Sequence, residues 1–214
     1  MKKATNNFNR RSFIKNTATL TAFVAGAALF PSAGCTMYEP DENINIIGPK
    51  KGFSPNIGTV VSMMAWMREA VIESVKSLTV NQLDYLHDAK ANTIGSLLLH
   101  LAALEKYYQL NTFEGRKWGS WNNSIKKKWD IPINLGDEAR KTIKGNNLDH
   151  YMNILIETRE KTILEFKNRD DNWLMTVDKE WSWGPTNNYC RWFHVCEHES
   201  NHNGQIKWIR SRLF

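Results

Sequence analysis

The sequence predicts an all-α fold, a four-helix bundle over residues 55–214 with a long connection between its second and third helices. Three observations carry this. Apolar residues recur at spacings of three and four in separate stretches, the signature of helices that bury one face. Asn or Thr stands before several of these stretches, where a helix needs a side chain to cap its free N–H groups. The last stretch carries His194, His198 and His202 at steps of four, which puts them one turn apart on one face. With 214 residues and 42% apolar content, the chain suits one domain with a core of its own.

The first helix should begin near Pro55 and run to about Ser77, burying Val60, Met63, Met64, Met67, Val71 and Val75 and turning Arg68, Glu69 and Glu73 outward. The methionines read as soft core packing. After a short connection, in which His87 reads as a surface residue, the second helix should start near Asn92 or Thr93 and reach about Phe113. Its stripe is Ile94, Leu97, Leu98, Leu101 and Leu104, and His100 falls among these leucines with its ring expected inward. From Glu114 to about Asn146 the periodicity breaks at Gly115, Gly119, Pro132, Gly136 and Gly145. So long a connection either crosses the length of the bundle, leaving the second and third helices parallel, or covers an open end.

Asn147 should cap the third helix, which runs to about Asn168 with Leu148, Tyr151, Ile154, Leu155, Thr158, Thr162, Leu164 and Phe166 inward. His150, in its first turn, is expected outside. A second loop from Asp170 to Pro185 carries Trp173, Trp181 and Trp183, and Thr186 or Asn187 caps the fourth helix.

The formal charge of +6 invites a nucleic-acid reading, but it is unevenly placed. Residues 1–35 contain Lys2, Lys3, Arg10, Arg11 and Lys15 and no acid; taking these five from the 28 Lys and Arg leaves 23 against 22 acids. The body is near neutral and shows no RNA-binding aromatic motif, so no nucleic-acid partner is expected. Cys190 and Cys196 lie six apart on one helix and cannot bridge, so no disulfide framework is expected either.

Residues 1–34 read as an export signal: paired Arg10 and Arg11, an apolar run from Thr17 to Phe30, then small residues. The arrangement resembles a twin-arginine signal. Ser32, Ala33 and Gly34 before Cys35 resemble a lipobox, which makes Cys35 the lipidated first residue of the mature protein. Residues 35–54, polar with Pro40, Gly48, Pro49 and Gly52, read as a flexible tether. The expected location is therefore the periplasmic face of a membrane, held by a lipid on Cys35, or the soluble periplasm if the chain is cleaved without lipidation.

Cys190, His194, His198 and His202 form a stripe that drifts by about 40° per step, so neighbours can chelate one ion but all four cannot share it. Spacing does not choose between His194 with His198 and His198 with His202. Ile94–His100 (IGSLLLH), with Glu105 beyond it, and His194–Ile206 (HVCEHESNHNGQI) resemble the two signature stretches of the DinB-like superfamily, across roughly residues 55–214. The resemblance implies a four-helix bundle with a three-histidine divalent metal site. Its ligands are then His100, His198 and His202, followed by Gly204 and Gln205, and the ion is zinc, nickel or iron. His194, Glu197 and Gln205 become candidates to orient a ligand or line a pocket, although a solvated face is expected for Glu197 and Glu199. Asn203 departs from the arginine that many relatives carry. Characterised relatives include thiol-dependent S-transferases, and many dimerise. The expected function is a metal-dependent enzyme, hydrolase- or transferase-like, acting on a small molecule; the alternative is a non-catalytic lipoprotein that stores the metal or uses it as a staple. In that alternative the space above the ion should be filled, with Trp181 or Trp183 as the plug.

Overall fold

The structure, a computed structural model, describes residues 43–213. The expected export signal, Cys35 and the first part of the expected tether lie outside the described residues. Helices are α1 Pro55–Val75, α2 Val80–Leu83, α3 Ile94–Tyr108, α4 Asn123–Asn134, α5 Gly136–Thr142, α6 Leu148–Lys167, α7 Asp171–Met175 and α8 Asn188–Arg210. A π-helical turn, Gln109–Phe113, prolongs α3, and two-residue strands β1 (Val177–Asp178) and β2 (Thr186–Asn187) pair antiparallel before α8. Among the described residues no helix is long and apolar enough to cross a membrane.

The caps fall where the side chains demand. Thr93, Asn147 and Asn187 each accept a backbone N–H from the third residue beyond, at Ser96, His150 and Cys190. Helix α1 has Pro55 in its first turn and no capping bond from Ser54. Asp171 of α7 substitutes, accepting from Asn56 N at 3.1 Å, Ile57 N at 3.3 Å and the Ser54 hydroxyl at 2.5 Å. The last residues of the expected tether are seated on α1. Gly48 N–H donates to Ser62 Oγ at 3.1 Å, and a Cβ on Gly58 would stand 2.3 Å from Lys50 N.

The long helices α1, α3, α6 and α8 form the bundle, and cross-contacts fix their directions. Gly95 faces Tyr151 and Gln109 bonds to Thr158 and Thr162, so α3 and α6 run parallel. Arg68 bonds to Glu199 and Ser74 to Asn203, so α1 and α8 are parallel too. Parallel α3 and α6 need a return crossing, which α4 supplies. Tyr107 bonds Asp130, His100 meets Pro132 and Gly136 N–H donates to Asn92, an antiparallel run down α3. The broken pattern of residues 114–146 thus hides two helices. Pro132 sits in the last turn of α4, and Leu135 (φ 54°) and Gly136 (φ 74°) make the junction between α4 and α5, so these breaks fall at helix ends.

One expectation is corrected on α6, where Leu164, expected inward, is 62% exposed; Arg159 of the same helix is fully buried. Arg68 and Glu199 are likewise buried, not solvated. Each finds partners that its own helix lacks. Arg159 grips Glu105 with Nε at 2.7 Å and Nη2 at 3.1 Å, and reaches Glu199 at 2.7 Å. Arg68 bonds Glu199 at 2.5 Å and Glu105 at 3.1 Å. Thr162 donates to Glu105 at 2.7 Å. Each long helix contributes one charge, two of each sign, which is how an interior can hold ions at all. This knot separates an apolar cluster around Val71, Leu97, Leu155 and Ile206 from another around Ile57, Met64, Phe166 and Trp192.

Candidate metal centre

Beside the knot, α3 and α8 present imidazoles to one another. His100 comes from the buried face of α3; His198 and His202 come from successive turns of α8. His198 Nε2 lies 2.7 Å from His100 Nε2, and ligand-type atoms of all three lie within 4.8 Å of one another. Among the described residues this is the one such cluster of histidine, cysteine or carboxylate side chains.

Neighbours set the tautomers. His100 Nδ1 lies 2.9 Å from the carbonyl oxygen of Pro132, which can only accept, so Nδ1 carries the proton and Nε2 keeps its lone pair. That carbonyl is free because it lies in the final turn of α4, where carbonyls lack helical partners. Gln205 Oε1 stands 3.2 Å from His202 Nδ1 and does the same for the third ring. Burial, then the charges of neighbouring imidazoles, lowers His198 to about 2; burial and His202 bring His100 to about 4. Burial also lowers His202. The rings are therefore neutral at pH 7, the form a metal ion needs.

The donor set fits a divalent ion. Imidazole nitrogens at about 2.0–2.1 Å from a tetrahedral ion are about 3.3 Å apart, so the close pair need separate by less than about 1 Å. Three neutral ligands would leave a position open, unlike a structural site closed by four.

His194 stays outside this cluster. Its ring centroid is 5.3 Å from that of His198, and its Nδ1 bonds the Tyr108 hydroxyl at 2.9 Å. Both residues line a pocket of about 790 Å³ walled by Trp118, Trp181 and Trp183. Trp181 and Trp183 line this pocket, which His194 borders and His100, His198 and His202 do not. Glu197 is exposed, 3.9 Å from His194, and bonds no ligand ring. Asn203 turns to α1 and accepts from Ser74 at 2.7 Å, so the departure from arginine is a packing contact. His87 and His150 are exposed, as expected.

Sequence reasoning missed two groups, the Pro132 carbonyl and Tyr108. No side-chain signal marks a carbonyl, whereas Tyr108 could have been found by pairing α3 antiparallel with α8 from His100 outward.

Residues 59–213 match the family described as mycothiol-S-transferase. No curated protein matches the chain. The fold is similar to that of a solved structure, the conserved protein of locus from Enterococcus faecalis, at 18% identity and a TM-score of 0.55, covering 71% of this chain and 92% of that one. The match over most of the chain, together with histidines that can hold an ion between α3 and α8, makes this protein a member of the mycothiol-S-transferase family within the DinB-like superfamily.

Proposed function

We propose that His100, His198 and His202 hold one divalent ion and that the protein is a metal-dependent transferase acting on a small molecule. The observation that carries the reading is the meeting of two features at one place. Three neutral imidazoles converge, and the next turn of α8 carries His194 into the wall of an open pocket. A bound ion would supply Lewis acidity, lowering the pKa of a thiol or water nucleophile at its open position. The family favours a thiol, and water at the same position would give hydrolysis.

The chain's own residues supply the remainder. Pro132 and Gln205 fix the ring orientations of His100 and His202. Tyr108, through its hydroxyl on His194 Nδ1, holds His194 at the boundary between cluster and pocket. Burial raises the Tyr108 pKa, so the phenol keeps its proton and serves as a donor. A staple role is disfavoured because the Arg–Glu knot already ties α1, α3, α6 and α8 together. We further propose that residues 1–34 export the domain and that Cys35 carries a lipid anchor, on the strength of the twin-arginine-like and lipobox-like residues alone.

The test is metal content of protein purified without chelator or nickel resin, for wild type and His198→Ala. One ion per chain, lost in the variant, is expected. A cobalt(II)-loaded sample should then change its visible spectrum on addition of 2-mercaptoethanol. An ion-free wild type, or a cobalt spectrum indifferent to thiol, would overturn the reading.

A further inference from the structure

The pocket beside His194 has an unusual wall. Trp118, Trp181, Trp183, His194 and Tyr108 form a closed circuit of ring contacts. Successive centroids are 5.4 Å (Trp118 to Trp181), 5.7 Å (Trp181 to Trp183), 5.0 Å (Trp183 to His194), 5.8 Å (His194 to Tyr108) and 5.2 Å (Tyr108 to Trp118). Four of these five pairs meet nearly edge to face. Each ring is thereby fixed by two neighbours. Two indoles keep much of their surface open, Trp183 at 56% and Trp118 at 39%. Apolar surface of this kind beside a cavity of about 790 Å³ is costly to leave wet.

Several polar side chains around the same cavity are engaged by the protein, while exposed Lys117, Glu180 and Ser182 also line it. Arg191 donates to Asp178 at 2.6 Å and to Asn111 at 3.1 Å, and its guanidinium lies 4.3 Å over the Trp181 ring. Asn111 also donates to the Arg116 carbonyl at 2.8 Å, and Thr112 to the Tyr108 carbonyl at 2.7 Å. Arg116 is paired with Glu114 at 2.7 Å. Among the buried N–H groups of the lining, Arg191 Nε and Trp181 Nε1 have no partner, and both are sealed from solvent and offer a ligand nothing. A saccharide needs a ring of uncommitted donors and acceptors. Here Lys117, Glu180 and Ser182 offer a few such groups beside the ring faces.

We infer that the pocket binds a flat aromatic molecule, stacked against Trp118 and Trp183, as the partner substrate of the centre at His100, His198 and His202. The inference deepens the proposed function and rests on it only for the role of the bound molecule. The π-helical turn fits the same assignment. Such turns are rare and concentrate at functional sites, and this one delivers Asn111 and Thr112 to the pocket wall. Arg191 acts as a positioning residue, clamping Trp181 from behind.

The test is equilibrium dialysis of the full chain against 2-naphthol, its fully saturated analogue decahydro-2-naphthol, and methyl glucoside. Each is measured before and after chelator treatment. Each stacking contact is worth about 0.5–1.5 kcal/mol beyond area burial, so 2-naphthol should bind about tenfold tighter than the saturated analogue. Trp183→Ala and Trp118→Ala should each weaken 2-naphthol about three- to tenfold, and Trp183→Ala, at the more exposed indole, should unfold at the temperature of the wild type. Equal binding of naphthol and its saturated analogue, no binding of either, or tighter binding of the glucoside would each overturn the inference. Naphthol binding that persists in protein shown to take up no metal would uphold the pocket and sink the metal-centred function, so the two failures are distinct.

Discussion

Replacing Arg159 by methionine, which keeps volume and removes charge, should destabilise the domain by about 3–5 kcal/mol, the usual cost of stranding one partner of a buried ion pair. The structure shows where the cost arises. The variant loses the two-point grip on Glu105 at 2.7 and 3.1 Å, the 2.7 Å bond to Glu199 and the 3.0 Å bond to the Met64 carbonyl. Arg68 alone would then face two carboxylates that are 0% and 2% exposed. For the wild type, burial pushes the Glu105 carboxyl up and Arg159 and then Arg68 pull it down further, leaving it below the usual range. Without Arg159 the burial effect should dominate, and the carboxyl should take up a proton instead. Urea unfolding followed by far-ultraviolet circular dichroism at pH 7 measures the effect. With an m-value of about 2 kcal/mol/M, the midpoint should fall by about 1.5–2.5 M. A variant within about 0.5 kcal/mol of wild type would refute the claim that the four charges act as one unit.

Three further outcomes are expected. Gly58→Ala should unfold more easily and expose residues 43–54 to limited proteolysis, since the new methyl would meet backbone at Lys50 N, 2.3 Å away. Gln205→Leu should weaken metal binding about 10- to 100-fold, read by competition with a chromophoric chelator, because His202 loses the acceptor that sets its tautomer. Asp171→Asn should cost about 1 kcal/mol at pH 7 as a weakened cap, and should flatten the acid limb of stability. Burial raises the Asp171 carboxyl, but bonds from Ser54, Asn56 and Ile57 outweigh it and hold the pKa below its ordinary value. A depressed carboxylate stabilises fully above its unfolded pKa of about 3.9 and loses that contribution as pH falls through the lower folded value. Urea midpoints from pH 7 to pH 2 check the sign.

The long helices and their caps were legible because both depend on neighbours in sequence. Thr93, Asn147 and Asn187 cap the residues three beyond them, and Leu97, Leu98 and Leu101 recur within two turns. The convergence of His100 with His198 and His202 was legible only with the resemblance, since spacing left His194 and His202 equivalent. What escaped depends on distant partners. Arg68 meets Glu199 131 positions away, and Arg159 meets Glu105 across 54. A charge inside a helix reads as solvated until its counter-charge is known. The two helices between Phe113 and Leu148 escaped for a different reason. Their breaks at Pro132 and Gly136 were read as loop, although both fall at helix ends, where proline and glycine do little harm.

The carbonyl of Pro132 has a wider consequence. It belongs to α4, which lies outside the four long helices, yet it sets the ring of His100. The docking of α4 and the affinity of His100 for any ion are therefore thermodynamically linked, and linkage is reciprocal. Whatever loosens α4 would weaken an ion held there by some factor, and the ion would tighten α4 by the same factor. The segment that sequence alone would mark as a connector is, in this sense, an effector arm of the centre, and its amide exchange rates would report occupancy at a distance.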